Sequence, residues 1–138
     1  MHPALRLTLA VVAGAVVGFA TVALIESIGH SVYPMPAGLD WSKPEQVRAY
    51  VDGLPLGALL FVLGGWIVAT FVGGLVAAWI ARPRTVLAAA IVGAFVLAAT
   101  IANLAMIPHP TWFAVAGVAG IVLAAFAAGR VLRAGGTP

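Results

Sequence analysis

The stretch Leu56–Ala81, LGALLFVLGGWIVATFVGGLVAAWIA, contains neither a charged residue nor a proline. As a helix rising 1.5 Å per residue it is long enough to cross the hydrocarbon layer of a bilayer, about 30 Å thick. Small residues recur along it at four-residue spacing, Gly65, Ala69, Gly73 and Ala77, with Thr70, Gly74 and Ala78 in the adjoining row. In water glycine weakens a helix. In lipid, small residues let two helices approach backbone to backbone. The segment therefore reads as a membrane-spanning helix that carries a packing groove.

Three further stretches have the same character, at about residues 4–28, 85–107 and 112–132. The first holds Arg6 and Glu26 near its ends, the next holds no charge, and the last meets its first charge at Arg130. The 138-residue chain is 63% hydrophobic and 8% charged, against about 25% charged in soluble domains. The expected fold is all-α: a four-helix transmembrane bundle forming one membrane domain over residues 1–138, with an outer loop at 29–55. The apolar run of the first span exceeds the roughly 7–15 residues of a signal-peptide core, so this segment is expected to be a span and not a cleaved leader. Small residues line the other spans as well: Ala10, Gly14 and Gly18; Ala94, Ala98 and Ala102; Ala116, Gly120, Ala124 and Ala128. Gly14, Gly18, Gly65, Gly73, Gly74 and Gly120 are the candidate helix-packing glycines. Faces left over after four helices pack are available to another copy of the chain or to a different membrane protein.

Orientation follows from the basic residues. Arg6, Arg82, Arg84, Arg130 and Arg133 fall on one side of such a bundle, whereas Lys43 and Arg48 fall on the other among Asp40, Glu45 and Asp52. The positive-inside rule then places both termini in the cytoplasm. In the outer loop, Ser42-Lys43-Pro44-Glu45 has the form of a capping box, in which Ser42 caps and Glu45 reaches back. A short amphipathic helix from Lys43 to about Val51 is expected along the outer membrane surface, with Val47, Tyr50 and Val51 on one side. Trp79 and Trp112 suit the two membrane boundaries, and the deeper Trp66 is expected to pack on a glycine groove.

Several chemistries are excluded. The chain has no cysteine, hence no disulfide or thiolate metal site. No stripe of Lys and Arg tracks a nucleic-acid backbone. No phosphate-binding glycine loop, His-Glu-x-x-His or Gly-x-Ser-x-Gly is present, and no enzymatic activity is expected. The polar residues worth weighing lie at the outer end: Glu26 and, one turn on, His30; then Asp40, Asn103 and His109. Glu26, His30 and His109 are weak candidates for a divalent metal site, with Asp40 beside them, or Glu26 and a histidine can pass a proton. The plainer alternative is that Glu26 lies near the interface and pairs with His30 or Tyr33. Asn103 suits a helix–helix hydrogen bond. No cofactor is predicted, and a divalent metal or a bound lipid are the ligands to consider.

Two segments, Pro34-Met35-Pro36-Ala37-Gly38-Leu39-Asp40 and Ile101-Ala102-Asn103-Leu104-Ala105-Met106-Ile107-Pro108 followed by Trp112-Phe113, carry a resemblance. The chain resembles a family of small, functionally uncharacterised bacterial four-span integral membrane proteins. The resemblance implies that the proline-rich loop and the Asn103-to-Pro108 segment belong to one design, and it brings no activity with it. The expectation is a non-catalytic membrane subunit in a bacterial inner membrane, acting as a homo-oligomer or as an accessory to another membrane protein. The alternative is a small proton or metal-ion transporter or channel with an outward-facing Glu/His site.

Overall fold

The computed structural model describes residues 2–134, which form five helices: α1 (Pro3–Val32), α2 (Pro44–Asp52), α3 (Leu56–Ile80), α4 (Thr85–Met106) and α5 (Thr111–Ala134). All but α2 are long and apolar enough to span a membrane, and no strand occurs among the described residues. Residues 135–138 lie outside the described residues. Helix α3 is central and packs against α1, α4 and α5, while α1 lies on α3 and α4 without reaching α5.

Both small-residue rows of α3 are buried, Gly65, Ala69, Gly73 and Ala77 together with Thr70, Gly74 and Ala78. The first row receives α1. A Cβ on Gly14 would lie 2.5 Å from the Gly73 carbonyl oxygen, and one on Gly73 would lie 2.5 Å from that of Gly14. Gly18 faces the Ala69 carbonyl in the same seam. The second row receives the other pair: Gly74 faces the methyls of Ala128 and Ala89, and Gly93 of α4 faces Ala125 of α5. Gly65 makes only ordinary contact with Ile25, and Gly120 sits under the end of Ile67. Gly129, not among the expected packing glycines, lies against the backbone of Val86.

The row Ala94, Ala98, Ala102 is exposed. Helix α4 instead buries Ala88, Ala89, Val92, Gly93 and Val96, because its β-branched and smallest residues share the face opposite that row. The core changes along the bundle. Leu59, Leu63, Trp66, Val96, Phe113 and Ile121 fill the half bearing the long loop. Alanines and Val92 fill the half nearer the termini, so the helices can draw closest there.

Helix α1 continues through Gly29, which is buried against Phe61. Its 30 residues span about 45 Å, more than the hydrocarbon layer requires. Helix α2 starts with Pro44 at its first turn and has Lys43 as N-cap, with no side-chain capping bond. The expected capping box is therefore not formed. Ser42 turns back, and its hydroxyl donates to Asp40 Oδ1 at 2.6 Å while its N–H donates to the same oxygen at 3.0 Å. An ionised carboxylate two residues away is the stronger acceptor for both donors.

The α1–α3 seam yields a matched test. Gly73→Ala is expected to destabilise the bundle by about 1–3 kcal/mol, the usual cost of overpacking. Gly64→Ala, one row away where a Cβ meets nothing within 4 Å, should leave stability unchanged or raise it by up to about 1 kcal/mol. Reversible unfolding in mixed micelles measures both, and equal effects would mean that the seam is not closely packed.

Candidate functional site

Arg6 and Glu26 are 20 positions apart on α1, which is about 30 Å along a helix. The two charges are thus about one hydrocarbon thickness apart, and Glu26 lies near the loop-bearing end of α1, not at its middle. Uninterrupted helix through Gly29 puts His30 on the same face as Glu26, one turn further out. The Glu26 carboxylate is partly buried and has two neighbours: the His30 imidazole, and the indole of Trp66 across on α3. Burying a carboxylate demands such partners.

A small cleft of about 60 Å³ opens beside this pair, lined among others by Glu26, His30, Tyr33, Tyr50 and Phe61. That volume holds one or a few waters and is far below the roughly 300–1,000 Å³ of a small-molecule site. Tyr33 closes one side, edge-on to Phe61 with ring centroids 6.0 Å apart and its hydroxyl pressed against Gly57. The arrangement can hold water beside the Glu26 carboxylate.

His109 stands apart from that pair. Its ring stacks on Phe113 at 4.7 Å and meets Trp66 edge-on at 6.4 Å, and Nδ1 lies 2.8 Å from the Ile107 carbonyl oxygen. In the tautomer that fits, Nδ1–H donates to that carbonyl. Trp66, which also packs on Gly117, therefore separates His109 from Glu26. Among the described residues no three His, Asp or Glu converge on a metal-sized point, and Glu26, His30 and His109 do not assemble the metal site considered above.

Asp40 is likewise engaged elsewhere. Besides Ser42, its carboxylate faces Lys43 Nζ at 3.8 Å, and its backbone N–H donates to Gln46 Oε1 at 3.1 Å. The bonds from Ser42 hold its carboxyl below the usual aspartate range, which keeps it ionised as the anchor of this turn. Asn103 does not form the expected interhelical bond through its side-chain oxygen, which is buried without a partner. Its backbone carbonyl accepts from Ile107 N–H and closes α4. Trp66 is the functional residue that sequence reasoning undervalued. An aromatic on a glycine-lined helix reads as packing, and only the fold shows that it lies beside Glu26.

Burial pushes the His109 imidazole below the ordinary histidine range, and the bond to Ile107 offsets this only in part. The folded chain thus holds His109 neutral, while the unfolded chain takes up its proton first as pH falls. The stability from this site is complete above the ordinary histidine pKa of about 6.5 and is lost progressively below it. Thermal unfolding in detergent at about pH 7.5 and about pH 5 should show a smaller drop for His109→Phe, which keeps the ring stack, than for the parent. An equal drop would show that His109 is not the responsible group.

No protein-family model, curated protein or solved structure matches the chain, and what it does must be argued from this site and from the bundle around it.

Proposed function

We propose that the protein is a non-catalytic, multi-pass component of a bacterial cytoplasmic membrane, with both termini in the cytoplasm. It acts as a structural or accessory subunit that associates with itself or with another membrane protein. The observation that carries this reading is the outward row Ala90, Ala94, Ala98 and Ala102 on α4, all exposed. Small residues at four-residue spacing are what membrane helices use to approach each other. Within the chain, α1, α3 and α5 place theirs inside the bundle. Beside the row runs an apolar groove of about 270 Å³ between α4 and α5, floored by Gly93, Leu97, Ile121 and Ala125. A partner helix crossing α4 would find a flat strip for its backbone and a groove for a larger side chain.

The orientation rests on the five arginines at the end that carries the termini, against Lys43 and Arg48 among three carboxylates at the other. The transport reading has one specific observation in its favour, the water-sized cleft between Glu26 and His30. Against it stands the seam between α1 and α3, where glycines bring backbones into contact and leave no room for a water column.

Because the chain has no native cysteine, single substitutions report association directly. In native membranes, Ala98→Cys should give an oxidised species of dimer mass, or of chain plus partner, and Leu123→Cys on the exposed face of α5 should give much less. Ala98→Leu should reduce association at least about tenfold, since a bulky side chain forbids the approach. Indifference to both substitutions, together with ion flux lost on Glu26→Gln in vesicles, would replace this reading with the transport one.

A further inference from the structure

The end of the bundle that carries the termini has five arginines and none of the four side-chain carboxylates, Glu26, Asp40, Glu45 and Asp52, which all belong to the opposite end. Two of these arginines have partners. The Arg6 side chain donates to the Ile80 carbonyl at the C-terminus of α3, and Arg130 lies over the Phe126 ring at 4.4 Å. The other three, Arg82, Arg84 and Arg133, line one cavity of about 560 Å³ at the α3–α4 turn and the end of α5. Among the described residues their guanidinium groups make no ion pair or hydrogen bond.

The floor of that cavity has an unmet demand. Thr85, the first residue of α4, is 4% exposed, and its hydroxyl is buried with no hydrogen-bond partner. The threonines at positions 8, 21 and 70 instead donate to the carbonyl four residues earlier. Thr85 cannot follow them, because the residues before it form a turn. Nor does any side chain cap α4, whose N-cap is Arg84. The first N–H groups of that helix therefore point outward without helical acceptors. Leaving the buried Thr85 hydroxyl unmet is costly.

We propose that this cavity is a binding site for a phosphate-bearing anion. Guanidinium forks match phosphate oxygens in pairs, a helix N-terminus adds N–H donors and a favourable dipole, and the Thr85 hydroxyl supplies one more donor. The volume exceeds what orthophosphate alone fills and lies within the range of small-molecule sites. Leu87 and Leu132 form an apolar wall beside the arginines, which suits a phosphate attached to an organic group. The phosphoryl group can come from an anionic phospholipid headgroup or from a soluble phosphate. This site is separate from the α4 association face and does not depend on it.

The test is native mass spectrometry of the delipidated full chain in neutral detergent, titrated in separate arms with phosphatidylglycerol, phosphatidylcholine and inorganic phosphate. Retention of one phosphatidylglycerol per chain in preference to phosphatidylcholine supports the site with a lipid source. Competition of that lipid by inorganic phosphate, or retention of phosphate alone, supports it with a soluble source. Arg84→Gln and Thr85→Val should each weaken binding at least about tenfold, Thr85→Ser should restore it, and Arg130→Gln should leave it unchanged. Anion binding equal in Arg84→Gln, Thr85→Val and parent protein, or absent in all arms, would overturn the proposal. Circular dichroism of each variant separates loss of binding from loss of fold.

Discussion

Everything in this bundle depends on how closely α1 can approach α3. Lipid offers helices no hydrophobic reward for associating, so the contact must come from backbone dipoles and dispersion at short range. Gly14, Gly18 and Gly73 provide that range by having no side chain at the crossing. With α1 seated, the second small row of α3 remains for α4 and α5. The position of Glu26 against Trp66 is a consequence of the same seam, since a helix held further out could not bring its carboxylate to the indole.

The two ends of the molecule solve opposite electrostatic problems. The loop-bearing end holds all four side-chain carboxylates together with the histidines at 30 and 109, Lys43, Arg48 and a small helix whose Val47 and Val51 are buried. Asp40 there is held by Ser42 and Lys43, while the side-chain oxygen of Asn103 is buried without a partner. The terminal end concentrates five arginines and no acidic side chain, and among the described residues no ion pair forms there. Thr21 and Thr70 return their hydroxyls to the preceding turn, which satisfies them without any interhelical partner.

The spans and the terminal side of the arginines were legible in the sequence because bilayer thickness acts on composition alone. Helix ends were close for the same reason, as charge and proline mark them. What was not legible depended on which face of a helix turns inward. Ala94, Ala98 and Ala102 and Gly65, Ala69, Gly73 and Ala77 share one pattern, yet only the second is buried, and four-residue spacing does not record whether a neighbour exists. Ser42 was misread because a capping motif and an Asp40 turn compete for the same hydroxyl. His109 was grouped with Glu26 by polarity, and the bulk of Trp66 between them appears in no spacing rule. Thr85 drew no notice, since a threonine at a helix start normally caps or back-bonds, and only the fold leaves its hydroxyl unmatched.

The seam itself can be observed in a bilayer. Solid-state NMR of protein labelled with carbon-13 at glycine α-carbons, reconstituted in lipid, reports short contacts between glycines distant in sequence. The account predicts cross-peaks linking Gly73 to Gly18 and Gly14 at short mixing times, lost in Gly73→Ala. Gly73 signals that correlate with lipid acyl chains and with no glycine of α1 would contradict it, and would leave the bundle without the contact on which its other positions depend.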